Sequence, residues 1–454
     1  MPAFRRNQPA NSTGTVGSQL TFFGLVGIVM TALKLKDRWD DYRQLPNDEE
    51  GAVRLPASPN TAPRDITGGD DDVSMIDTQI ARPKRVKKRG CCMCCGMDCT
   101  IFWKAIGIVL LLFTIWNALK LAKWFMTPTP TGLEELPSFG TSLGCSSASH
   151  IYEGAPQTYT SPVAATGSQH TLDLWGAAMG TLTITSAAAG ATDITLELTV
   201  RTDDAALLQG VSMSTTSPEK ATTWTTATLN TPMAIDARSA CMRFDATLHV
   251  PAALRSLQVN ANSITQIRFD PHAELSLDTL AVHMAGGEER SMLELSAGVQ
   301  AANMDVRARR GWIVGDVAIG NSTTITTTGD CVANVHVRPS PPASDAKPAP
   351  AYLTTVHATG RTEYIYQSDP AHAHRPIVSS HSSTRGGDLY LTYKNAEYSG
   401  PVQLAAKSYT ASGLQGSVSS MPGQVGKALP WVGSADGEDV LVINSRKGWV
   451  GLYF

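Results

Sequence analysis

The chain reads as an all-β protein held by a membrane anchor: one transmembrane helix, a disordered N-terminal cytoplasmic region, and an exported domain built as a parallel β-solenoid. Three observations point there. Residues 101–125 form an apolar run whose core, 105–119, carries no charge. The two sides of that run differ in charge. Beyond it, short apolar pairs return at regular intervals and no helical stretch appears.

Length and composition set the frame. A chain of 454 residues has room for two or three domains. Its 42% hydrophobic content is ordinary for a soluble protein and excludes a polytopic transporter, and charged residues are only 17%. The net charge of −3 hides an asymmetry. Residues 1–125 hold 17 Lys+Arg against 12 Asp+Glu, whereas residues 126–454 hold 20 against 28. A basic end and an acidic end separated by an apolar run fit two different compartments.

The anchor is IFWKAIGIVLLLFTIWNALKLAKWF. About 20 helical residues cross a bilayer core. Lys104 and Lys120 bound the uncharged stretch, where their stems can snorkel to the headgroups. Trp103 and Trp124 fall at the level of an interfacial aromatic belt. Upstream lies ARPKRVKKRG, and downstream Lys120 and Lys123 give way to Glu134 and Glu135. The positive-inside rule then puts residues 1–100 in the cytoplasm and the C-terminal part in a lumen or outside the cell, a type II signal-anchor of the plasma membrane or secretory pathway.

A second apolar stretch, 20–35, has three readings: an interfacial helix, which its length favours, a second span, or a signal h-region. The last lacks a small-residue cleavage site, since KLKDRWDD follows. Residues 44–80, with Gly68-Gly69-Asp70-Asp71-Asp72, lack the apolar content for a core and read as disordered.

Five of eight cysteines, Cys91, Cys92, Cys94, Cys95 and Cys99, crowd into the basic juxtamembrane segment 82–99. Cytoplasmic thiols at a bilayer surface suit S-palmitoylation, with free thiols as the alternative. A zinc site would need a second ligand pair on a folded turn, and none is near. Cys145, Cys241 and Cys331 lie in the exported part, where an oxidising lumen allows a disulfide. Cys241 and Cys331 both fall in the β-rich region and form the expected pair, since Cys145 falls in the expected stalk, 126–150.

After the stalk, LDLW, TLTIT and ITLELTV alternate apolar and polar residues as half-buried strands do. The Thr-rich stretch 213–231 reads as a loop suited to O-glycans. Apolar pairs then recur at Leu257/Val259, Ile267/Phe269, Leu280/Val282, Leu293/Leu295, Met304/Val306 and Val335/Val337. Staggered, nearly equivalent rungs favour a solenoid over a sandwich or barrel, with the domain at 151–338. A Pro-rich insertion follows at 339–351, and residues 352–454 continue the stack or cap it.

The segments FDATLHVPAALRSLQVNANSITQIRF and ANMDVRARRGWIVGDVAIGNSTTITTTGDCVANVHV resemble the adhesin-like β-solenoid domain of bacterial and fungal surface proteins. With the upstream span and basic cluster, the chain resembles fungal single-pass membrane proteins carrying that domain. The resemblance covers mainly 240–340 and implies adhesion by analogy of fold only.

No P-loop, dinucleotide fingerprint, HExxH or GxSxG occurs. Asp270, Glu274, Asp278, Glu288, Glu289 and Glu294 are numerous enough for a carbohydrate-active enzyme, but most fall at turns or outward positions. His372 and His374 sit in a polar loop, and Arg307, Arg309 and Arg310 form a small basic patch. The expectation is a binding or adhesion-like platform, not an enzyme, with no cofactor and no catalytic or metal residue. Its partners would be the bilayer and a glycan or surface protein, not nucleic acid. A carbohydrate-active enzyme or a glycan-bearing spacer are the alternatives. Asn321, in Asn321-Ser322-Thr323, is the exported N-glycosylation sequon and is placed on a turn between strands.

Overall fold

A computed structural model of the chain describes residues 22–43, 93–94, 97–126, 131–163, 168–216, 224–235, 240–341, 348–416 and 429–454. The chain divides into two units, Met1–Thr129 and Pro130–Phe454.

The first unit holds two helices, α1 (Phe22–Arg43) and α2 (Cys99–Met126). Among the described residues, α2 is the one helix long and apolar enough to cross a membrane, over Phe102–Lys123 with mean hydropathy 2.0. Leu111, Phe113, Trp116 and Leu119 are each 58–61% exposed. Apolar side chains around the whole helix are what a bilayer-crossing segment requires. Lys120 places its ammonium 5.5 Å from the Trp116 ring centroid, a cation–π contact near the C-terminal end. The stretch 20–35 lies mostly in α1, whose Val26 is buried with Ala105 and Val109 of α2. Cys91, Cys92 and Cys95 lie outside the described residues, as do the side chains of Cys94 and Cys99.

The second unit is made mostly of strands that pair in parallel, forming two ladders. One ladder runs Trp224–Asn230, Gln169–Trp175, Ser256–Ala261, Leu275–Met284, Val299–Ala308, the second half of Gly311–Thr327, Ala351–His357, Ile377–Ser383 and the first half of Val440–Tyr453. A second ladder runs Met242–Val250, Met179–Ser186, Thr265–Phe269, Met292–Leu295, the first half of Gly311–Thr327, Cys331–Pro339, Arg361–Gln367, Asp388–Asn395 and the second half of Val440–Tyr453. Gly311–Thr327 and Val440–Tyr453 each take part in both ladders. The ladders therefore join into a closed ring of seven parallel strands between them. At the N-terminal end, antiparallel strands Asp193–Thr202 and Gln157–Pro162 extend the second ladder.

Period-2 alternation explains the register. Ser256–Ala261 (SLQVNA) buries every second residue, so Leu257 and Val259 stack on Leu280 and Val282, and these on Met304 and Val306. Across the interior, Ile267 stacks on Leu182 and Leu293. The pairs legible in the sequence are the inward columns of the two ladders. A one-residue slip would send each column into water.

Four expectations need correction. Residues 131–150 are not a free stalk: they pack onto the second ladder as part of the second unit. The disulfide is Cys145–Cys241, with Cα atoms 6.0 Å apart, and not Cys241–Cys331. Cys331 is a buried free thiol whose side chain points inward from its strand. The described residues of the Thr-rich stretch 213–231 are not loop but strand: Ser212–Thr216 pairs antiparallel with Trp224–Asn230, because β-branched Thr suits a pleated strand. Asn321 lies inside Gly311–Thr327, at the bulge where Ala301 pairs Ile319 and Asn303 pairs Ser322, and it is exposed.

Candidate functional site

Two outward faces follow from the ladders, and they differ. The first ladder presents two rows of outward side chains, polar except for Ala281. One row is Asp173, Asn260, His283, Arg307 and Thr326; its neighbour is Thr171, Gln258, Ala281, Asp305, Thr324, Thr354 and Ser380. Parallel strands lie about 4.8 Å apart, so each row is a fixed array of donors and acceptors. Contacts between strands and along one strand hold it. Asn260 donates to Asp173 at 2.7 Å, Ser322 to Asn303 at 2.9 Å, and Asp305 pairs with Arg307 at 2.8 Å and His283 at 3.4 Å. Trp175 and Trp224, 44% and 55% exposed, stand at opposite ends of the paired strands that begin this face.

The second ladder is covered on its outside by residues 131–145, which run across it as a strap. Asn334 donates to the Thr131 carbonyl at 3.5 Å, and Gly132 leaves room for the Arg361 side chain. The Arg268 guanidinium stacks on Phe139, 4.0 Å from the ring centroid. Gln266 accepts from the Gly140 amide at 2.6 Å, and the buried Arg243 donates to the Gly140 and Gly144 carbonyls at 2.6 and 3.1 Å. Gly140 adopts φ 73°, a conformation that disfavours any side chain. The Cys145–Cys241 bond closes the strap. This cover accounts for why Gln266, Met292 and Trp312 are buried although they point away from the interior.

Beside the strap, Glu134, Glu135, Glu289 and Asp330 line one groove of about 340 Å³ with Trp312 at its wall. Glu134 accepts from the Thr131 amide at 2.7 Å. Backbone hydrogen bonds hold its carboxyl below the ordinary carboxylate range, led by its own amide. That is the wrong direction for a general acid at neutral pH. Of the other acidic candidates, Glu294 pairs with Arg268 at 2.6 Å, Glu288 with Arg290 at 3.3 Å, and Asp270 caps a turn through the His272 amide at 2.9 Å. They do not converge on one place.

The histidine pair of the polar loop separates. His372 bonds Asp369 at 2.9 Å, while His374 reaches the buried Asp439 at 3.0 Å. Among the described residues no group of three or more His, Cys, Asp or Glu could hold a metal ion. Arg307 of the basic patch is tied to Asp305. What residue-by-residue reading missed is the strap and the register of the outward rows. The alternation signals which residues point outward, but not which outward residues become neighbours.

The chain matches no protein-family model and no curated protein. Among solved structures it is similar to a candidate adhesin of Bacteroides fragilis, at 8% identity and TM-score 0.32, over 66% of this chain and 97% of that one. A candidate adhesin of Parabacteroides distasonis aligns at 10% identity and TM-score 0.31, over 66% and 98%. A candidate cell adhesion protein of Clostridium sporogenes aligns at 9% identity and TM-score 0.22, over 66% and 99%.

Proposed function

We propose that the stacked ladders form a β-solenoid, exported on a type II signal-anchor, that serves as a surface binding or adhesion-like platform. The observation that carries this reading is the outward face of the first ladder. Its polar side chains are kept in register over successive strands and tied to one another, as a preorganised recognition surface would be. The apolar surface of α2 supports the anchor, and the basic flank at 82–89 supports a cytoplasmic N-side. Acylation of Cys91, Cys92, Cys94, Cys95 and Cys99 would add a second membrane signal. An N-glycan on Asn321 would mark the luminal side.

The test is a glycan and surface-protein array probed with the full chain in nanodiscs. Specific capture should be lost in Asp305→Ala and Arg307→Ala and kept in Lys407→Ala, in the strand Gly400–Ser412. Capture indifferent to Asp305 and Arg307 would remove this face from consideration. A second reading, a carbohydrate-active enzyme, draws on the four carboxylates of the groove beside the strap. Release of reducing ends from a polysaccharide, abolished by Glu289→Gln, would favour it over the platform.

A further inference from the structure

We propose that the later coils of the second unit are an acid-operated switch: protonation of the enclosed His357 and His381 opens strands Ala351–His357, Arg361–Gln367 and Ile377–Ser383, while the preceding apolar rungs stay closed. The inward columns change character along the stack. Strands 256–261, 275–284 and 299–308 point Leu257, Val259, Leu280, Val282, Met304 and Val306 inward. In the column of Val259, Val282 and Val306 the later strands place Thr355 against His381, and in the column of Ala261, Met284 and Ala308 they place His357 against Ser383. His357 is 0% and His381 1% exposed.

The cluster is arranged for neutral rings. Thr355 Oγ1 lies 2.7 Å from His381 Nδ1, and Tyr366 Oη lies 2.8 Å from His381 Nε2 while donating to Ser379 at 3.2 Å. The Tyr366 hydroxyl therefore accepts from Nε2–H, and Nδ1 accepts from Thr355: one neutral tautomer satisfies every bond. His357 has no hydrogen-bond partner on either nitrogen, and the Tyr364 hydroxyl has none. The Tyr364 ring lies 6.1 Å from His357 and 5.5 Å from His381, so the two imidazoles flank one phenol.

A charge here finds no counter-ion. The facing groups are Thr327 and Cys331 from the preceding strands, Thr362, Tyr364 and Tyr366 across the interior, Ser379 and Ser383 alongside, Tyr393 beyond, and Ser445 on the last strand. Burial pushes Cys331 up to about 12 and raises all three tyrosines, so none ionises. The surrounding carboxylates act elsewhere, Asp330 on Cys331 and Asp439 on Tyr398.

The sign follows from burial. Desolvation lowers His357 to about 4 and His381 well below its ordinary value, the latter also by repulsion from His357. The unfolded imidazole takes its proton near 6.5, so the closed state's full advantage is present above that pH and falls away as pH drops toward 4. At pH 5, His357 alone should weaken closure about 30-fold. An exported domain that enters an acidic lumen would thus loosen its aromatic, polar coils first.

Hydrogen exchange on the full chain in nanodiscs, corrected for intrinsic rates, tests this between pH 7.5 and 5. Amides of 351–383 should lose at least tenfold in protection while those of 275–308 change less than threefold. His357→Leu, which removes no hydrogen bond, should shift the loss to lower pH. The comparison avoids strand Gln169–Trp175, which carries its own buried imidazole, His170, and the strand Ser256–Ala261 paired with it. Unchanged protection at 351–383, equal loss in both regions, or a loss that ignores His357→Leu would each overturn the proposal. Should that variant not fold, histidine-ring NMR of the unmodified protein decides. Three rings still neutral in the closed state at pH 5.5, those of His170, His357 and His381, support the switch, and protonation of all but His170 by pH 6 overturns it.

Discussion

Removing Cys145 should destabilise the second unit far more than removing Cys331. The Cys145–Cys241 bond closes a loop of 96 residues. In the chain-entropy treatment, such a crosslink stabilises the fold by about 4.7 kcal/mol, chiefly by restricting the unfolded chain. The strap's native contacts, Arg243 to Gly140 and Gly144 and Gln266 to Gly140, are absent from that unfolded chain and do not reduce the effect. A unit of roughly 325 residues, Pro130–Phe454, has an unfolding entropy near 0.7 kcal/mol/K, so Tm should fall by about 5–7 °C in Cys145→Ser. Cys331→Ala removes a buried thiol without opening a crosslink and should cost about 1 kcal/mol, a shift of about 1–2 °C. Differential scanning calorimetry of the two variants, with peptide mapping of the non-reduced protein, checks both statements. A Cys241–Cys331 peptide, or a Cys331→Ala variant as damaged as Cys145→Ser, would refute the argument.

Three further outcomes follow from particular residues. His374 is raised above its ordinary pKa, first by its hydrogen bond to Asp439. Its stabilising contribution is therefore complete below pH 6.5 and lost as pH rises through the folded value, and His374→Gln should flatten the Tm profile above pH 6.5. A Cβ on Gly180 would meet the Phe244 ring, so Gly180→Ala should cost about 1–3 kcal/mol in denaturant unfolding. A Phe244→Leu background should relieve part of that cost. Glycosidase treatment should increase mobility by about one N-glycan, and Asn321→Gln, but not Asn11→Gln, should remove the shift. A shift that depends on Asn11 would mean the first apolar stretch spans the bilayer.

Local patterns could be read directly because each is a property of neighbouring residues. The apolar helix 102–123, the alternating strands and the inward pairs Leu257/Val259 and Leu280/Val282 all follow from periodicity, which needs no knowledge of the rest of the chain. The ladders continue on both sides of the Pro-rich segment: Cys331–Pro339 pairs with Arg361–Gln367, and the second half of Gly311–Thr327 with Ala351–His357. Partner choice between distant residues was beyond that reading. Cys145 and Cys331 are both 90 or more residues from Cys241, and composition ranked them by the appearance of their surroundings. The choice fell to Cys145 because Arg243 and Gln266 bind the glycine-containing strap and bring it across the second ladder. Likewise, His357 and His381 are 24 residues apart and look unrelated in the sequence. They share an interior because parallel pairing stacks each strand on an earlier one, and only that stacking brings two buried imidazoles to a single tyrosine.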